Sequence, residues 1–339
     1  MSQSSSLAAD LVLEGGGVLG IGHVGALSVL EEAGYSFPRV AGTSAGAIVG
    51  ALVAAGMPVS RLTEIMSTLD YRRFADRSLL DLVPVGGPLL SLLLDNGVYE
   101  GDHLREWLGN LLADECGVET FADLAIDDPE SSLPPERRYR LVVTAADVTR
   151  GELVHFPWDY QRTYGLEPGS QLVADAVRAS MSIPFFYEPV TLVAADGTAS
   201  TLVDGGVLSN FPIDLFDRTD GRAPRWPTFG VKLLPALPVD ADKVLPIAGL
   251  FKHGPVGLAA DLAMTVIVGR DQAHLAKPWV RARTIQVDTT GVNPVDFGIS
   301  EVQAAELFAN GRAAAEAFLG EWDWEEYQAR FRDVARPVV

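Results

Sequence analysis

The sequence predicts an α/β protein built on a parallel or mostly parallel sheet, and three observations carry that expectation. A short apolar segment at residues 10–14 runs into three consecutive glycines and then into apolar residues at helical spacing over 21–33, closed by Gly34. The same order repeats at once: an extended piece at 39–42, small residues at 43–46, and a helical pattern at 47–55 stopped by Gly56 and Pro58. Two strand–turn–helix units in tandem favour parallel strands, because a strand that leaves into a helix needs a crossover before it can pair again.

Further along, residues 138–144 (RYRLVVT) read as a strand, 172–179 as a helix, and 201–203 as a short strand ending against Gly205 and Gly206. Residues 102–113 keep the apolar spacing of an ordinary amphipathic helix. Helices alternate with strands through residue 215. The proline-rich piece 223–246 is loop-like around a strand at 229–234, and 302–318 is an alanine-rich amphipathic helix. The acidic segment 127–135, with three prolines, is the expected exposed loop.

Composition narrows the function classes. The 339 residues are 48% hydrophobic and 21% charged, enough to bury a substantial core. Forty-five acidic against 26 basic residues give a net charge of -19, which disfavours nucleic acid and steady attachment to an anionic membrane. A single cysteine, Cys116, and five scattered histidines offer neither a disulfide nor a metal-ligand spacing, so no metal and no cofactor are expected. The N-terminus lacks the basic start and apolar run of a leader, and no uncharged apolar run reaches the roughly 18 residues that span a bilayer. The expected place is the cytoplasm, with transient contact at a membrane surface. Residues 79–94 come nearest to a span but are interrupted by Asp81, Pro84, Gly86, Gly87 and Pro88. They read as a buried helical hairpin, or as a lid or acyl channel.

The chemistry gathers at three places. Gly42-Thr43-Ser44-Ala45-Gly46 fits G-x-S-x-G, in which small neighbours permit a sharp strand-to-helix turn that lifts a nucleophilic serine out of the sheet. Such a serine needs a base, usually histidine. His253 sits in a glycine-flanked turn, His274 in an alanine-rich helical pattern, and His23 at the start of a helix where packing or capping suits it better. Asp204, ending an apolar strand before Gly205 and Gly206, is the better-placed base, although an unperturbed aspartate is weak, with a pKa of about 3.9. A weak base demands strong oxyanion stabilisation. Gly15-Gly16-Gly17, followed by Gly20 and a helix, can aim successive N–H groups at one point. The loop would serve a phosphate equally well, but it lacks the Gly-Lys-Ser/Thr of a P-loop, and the acidic residues about 20 positions on, Glu31 and Glu32, lie inside a helix. Asp147 and Asp175 read as structural hydrogen-bonding groups.

Gly15-Gly16-Gly17-x-x-Gly20, Gly42-x-Ser44-x-Gly46 and Asp204-Gly205-Gly206, in this order, resemble the patatin-like phospholipases. Residues 11–56, 96–124 and 179–190 add to the likeness, which covers most of 10–215 and fades afterwards. The resemblance implies a three-layer α/β/α sandwich with a mixed, mostly parallel sheet, Ser44 as nucleophile, Asp204 as base, and Gly15 to Gly17 as oxyanion loop. It implies hydrolysis of lipid acyl esters through an acyl-serine intermediate without calcium. The family usually carries Arg or Lys at the fifth position of the glycine motif, where this chain has Leu19; the missing cation points toward neutral esters, lysolipids or fatty acyl groups. The expected organisation is a flexible tail at 1–9, a catalytic core at 10–215, and a C-terminal part at 216–339 packed on the same domain. A non-catalytic acyl-binding protein of the same fold, and a nucleotide-binding protein using the glycine loop, are the competing readings. The oligomeric state stays open.

Overall fold

A computed structural model describes residues 7–69, 73, 99–233, 276–292, 294 and 298–332. In chain order the strands are β1 (Leu7–Ala8), β2 (Asp10–Leu13), β3 (Tyr35–Ser36), β4 (Val40–Thr43), β5 (Leu141–Asp147), β6 (Glu152–Phe156), β7 (Val190–Val193), β8 (Ala199–Asp204), β9 (Thr228–Lys232) and β10 (Thr284–Gln286). The principal helices are α1 (Ile21–Glu32), α2 (Ala45–Ala54), α3 (Val59–Thr68), α4 (Asp102–Leu111), α5 (Trp158–Tyr164), α6 (Val173–Ser180), α7 (Glu301–Glu321) and α8 (Trp324–Phe331).

The main sheet runs β10-β9-β2-β4-β5-β8-β7, with β6 also paired to β5. From β10 to β5 every pairing is parallel; β6, β8 and β7 join antiparallel. The sheet is thus mixed and mostly parallel, with helices on both sides, the expected α/β architecture. Its central strands are buried on both faces, as strands between two layers must be. Side chains alternate along them: Leu11, Leu13, Val40, Leu141 and Val143 enter the larger core under α1, α2, α3 and α6. Val12, Ala41 and Val142 point the other way, onto Trp158 of α5, Phe211, Ile213 and Phe216.

Most elements fall where the sequence places them, with shifted ends. The second helix begins at Ala45, directly after the serine, and β5 lies three residues later than its expected span. Pairing with β4 and then β8 along one edge, and with β6 along the other, sets the ends of β5. The strands β1, β3, β6, β7 and β10 and the helices α3, α5 and α8 were not anticipated; β1 falls within the expected tail at 1–9, where it pairs with β3, and β7 alternates half-buried with exposed residues and is short. Segment 127–135 is irregular and largely exposed, although Asp128 holds Arg225. The residues 79–94, His253 and His274 lie outside the described residues.

The sheet also explains how distant residues meet. Thr43 on β4 is in register with Thr144 on β5, and the next β5 residue, Ala145, faces Asp204 on β8. β4 and β8 lie along the same edge of β5, β4 against 141–144 and β8 against 145–147, so the C-terminal ends of the two strands meet and Ser44 and Asp204 come together with no strand between them. Beyond residue 215, β9 and β10 extend the sheet past β2, and α7 packs along α1.

Candidate active site

Ser44 sits between β4 and α2 with φ 52 and ψ -125, a conformation that L-residues with a side chain seldom adopt. The turn is made possible by its neighbours: a Cβ on Gly42 would overlap the Gly46 carbonyl, and one on Gly46 would overlap the carbonyl of Leu13. Ser44 is thereby presented at the N-terminus of α2, where the helix favours developing negative charge. Its backbone N–H donates to Ser180 Oγ at 2.8 Å, and its hydroxyl donates to Met181 Sδ at 3.5 Å.

Asp204 closes β8 and is 2% exposed. Its Oδ1 accepts from Gly206 N–H at 2.8 Å, and its own N–H donates to Ser182 O at 2.8 Å, which fixes the carboxylate. Burial pushes its pKa up to about 6, against the opposing pull of the Ser44 hydroxyl and the Gly206 N–H. That brings an otherwise weak base close to neutrality. The serine thus lies near enough to favour the ionised carboxylate, yet Oδ2 lacks a hydrogen-bond partner among the described residues. The serine hydroxyl is turned toward sulfur instead.

The glycine loop lies against the serine: a Cβ at Gly15 would stand 2.9 Å from Ser44 Cβ. Gly15 N–H donates to Asn210 O at 3.4 Å, whereas the N–H groups of Gly16 and Gly17 have no acceptor among the described residues. Of the three expected oxyanion donors, these two are the free ones. Gly17 takes φ 56 and passes close to the carbonyl of Pro294, which accepts from Val18 N–H at 2.9 Å. Gly20 abuts Ala45, and Gly205 abuts Thr144, whose hydroxyl meets that of Thr43 at 2.6 Å.

His23 takes no part as a base. It is fully buried, its Nε2 bonds Glu14 O at 2.8 Å, and burial lowers its pKa to about 4, so the ring is neutral and props the residue before the loop. The Glu14 carboxylate is held by Lys232 Nζ and Leu233 N–H, each at 2.7 Å. Asp147 caps a turn through Thr149 and Arg150 N–H and accepts from Tyr164, and Asp175 pairs with Arg105, both structural roles as read from sequence. Leu19 is fully buried in the larger core. Arg39 folds onto Asp10 at the start of β2, the opposite end of that strand from the loop.

Three residues escaped the sequence reading. Ser180 and Met181 lie in a stretch quoted above for its likeness but without roles, and Asn210 follows Asp204 by six positions in a segment with no local signal. Only the fold brings them to Ser44. Beside the serine is a small apolar cavity of about 30 Å³, walled by Val18, Ile48, Met66, Leu69, Trp107 and Met181. Among the described residues no cluster of His, Cys, Asp or Glu is placed to hold a metal ion.

The family description "Patatin-like phospholipase" covers residues 11–217. The uncharacterized protein YqhO of Bacillus subtilis is 35% identical over 93% of this chain and 99% of its own length. Neuropathy target esterase sws of Drosophila melanogaster is 26% identical over 60% of this chain, but the match spans only 12% of that protein. Among solved structures, VipD from Legionella pneumophila shares the fold, with a TM-score of 0.53 at 17% identity over 92% of this chain and 66% of VipD. The match of its motifs, in order and over most of the core, shows that the chain belongs to the patatin-like phospholipase family.

Proposed function

We propose that the protein is a serine acyl hydrolase of lipid esters, with Ser44 as nucleophile, Asp204 as base, and Gly16 and Gly17 as principal oxyanion donors, Gly15 shaping the loop. The observation that carries this reading is the strained Ser44 turn with a buried, neutral-range carboxylate beside it. In acylation Ser44 Oγ attacks the ester carbonyl while its proton passes to Asp204, and the carbonyl oxygen takes up negative charge opposite the free N–H groups. The proton then leaves with the alcohol. Water, deprotonated by the same carboxylate, releases the acid from the acyl-serine. Both half-reactions use one base.

The apolar lining of the cavity suits the aliphatic part of an acyl ester, and the absence of a free cation beside the loop among the described residues supports a neutral ester or lysolipid over an anionic headgroup. No helix among the described residues is long and apolar enough to cross a membrane. With a net charge of -19, we place the protein in the cytoplasm, meeting lipid transiently through apolar contact rather than charge.

The test is release of p-nitrophenol from esters of graded acyl length by the wild type, Ser44→Ala and Asp204→Ala, all shown to be folded. Loss of three or more orders of magnitude in both variants is expected. A second reading, an acyl-binding protein without turnover, is favoured by the Ser44 hydroxyl resting on Met181 and not on Asp204. An inactive wild type that still binds fatty acyl probes would select it.

A further inference from the structure

The cavity and the nucleophile share one side chain. Met181, at the C-terminal end of α6 and 3% exposed, receives the Ser44 hydroxyl on its Sδ and at the same time walls the apolar cavity together with Met66 and Trp107. A thioether is a weak acceptor, whereas the buried Asp204 Oδ2 is a strong one that stands unpartnered among the described residues. The hydroxyl therefore rests on the poorer acceptor. An acyl group bonded to Ser44 Oγ and running into the cavity enters beside the thioether, since Met181 both receives the serine hydroxyl and lines the cavity, with Gly17 and Ala45 among its other walls.

We propose that Met181 is a specificity-determining and positioning residue: its thioether closes the serine end of the acyl cavity, limits the chain length accepted, and holds the Ser44 hydroxyl off Asp204 until substrate displaces it. The inference rests on the serine hydrolase reading above. Methionine suits the task, since an unbranched side chain with three rotatable bonds can swing aside without disturbing the backbone. Ser44 then needs only a side-chain rotation to give its proton to Asp204 Oδ2 as the Oγ–carbon bond forms. The arrangement couples entry of the acyl chain to arming of the nucleophile.

The experiment compares wild type, Met181→Ala, Met181→Phe and Met181→Leu, each checked for folding by circular dichroism, on p-nitrophenyl esters from acetate to palmitate. Removing three heavy atoms in Met181→Ala should raise kcat/KM for long over short chains about ten-fold, the scale on which a pocket reads one or two methylenes, and Met181→Phe should lower it. Met181→Leu keeps the volume but removes the acceptor. It should keep the chain-length order and react several-fold faster with a small fluorophosphonate at Ser44. A wild-type chain-length order in both Met181→Ala and Met181→Phe, or a wild-type phosphonylation rate in Met181→Leu, overturns the proposal; if Met181→Ala fails to fold, the other two variants decide. A wild type that neither cleaves any ester nor takes up the probe overturns the hydrolase reading itself, and this inference with it.

Discussion

Asn210 and Gly15 are joined by two hydrogen bonds: Gly15 N–H donates to Asn210 O at 3.4 Å, and Asn210 Nδ2 donates to Gly15 O at 3.2 Å. The pair clamps the start of the glycine loop to the segment after Asp204, so the oxyanion donors and the base are held as one unit. Asn210→Ala removes the side-chain half of the clamp. It should lower kcat about ten- to a hundred-fold with little change in KM, because the loop's grip matters most when negative charge develops; steady-state kinetics on a short ester checks this.

The titration of Asp204 sets the pH dependence. The base acts when ionised, and its pKa is pushed up to about 6, so kcat/KM should rise with pH through about 6 and level off above it. At pH 5 the rate should be about ten-fold below the plateau. A profile flat from pH 5 to 8 would count against Asp204 as the base.

The same shift makes Asp204 a source of instability. A carboxyl whose pKa is higher in the folded protein than its ordinary 3.8 supports folding while protonated, and that support is lost as pH rises through about 6. Two units correspond to about 3 kcal/mol above that range. Asp204→Asn should therefore be inactive and yet more stable than wild type at pH 8, with the difference shrinking as pH falls from about 6 and gone below about 4, as read from urea unfolding midpoints.

We further propose that residues 216–339 fold with the core as one unit. Arg283, 1% exposed in its side chain, pairs with Asp214 and Asp217, and Asp217 also receives Arg332 just beyond α8, which ties the C-terminal helices to the sheet. Removing Asp217 leaves the buried Arg283 with Asp214 alone and takes from Arg332 its carboxylate here, so Asp217→Ala should cost about 3 kcal/mol. Unfolding followed by tryptophan fluorescence, sensitive to Trp322 and Trp324, should coincide with far-UV circular dichroism in a single transition. Two separate transitions would divide the chain into independent units.

The local parts of this site were legible in the sequence because local sterics write them there. The turn around Ser44 needs small residues at 42 and 46, and the strand before Asp204 must stop where Gly205 packs on Thr144, so each leaves a short motif. The tandem strand–turn–helix pattern likewise announced the parallel part of the sheet. What only the tertiary structure decided is how these pieces face one another. The registers of β4 and β8 along one edge of β5 bring residues 44 and 204 together, the antiparallel β6, β7 and β8 complete the sheet, and β9 carries Leu233 to the back of the glycine loop. Burial then sets what no pattern of letters states: the raised pKa of Asp204, the neutrality of His23, and the placement of Met181 between serine and cavity. Those properties depend on how much water is excluded around a group and on which distant atoms replace it, and both are consequences of packing.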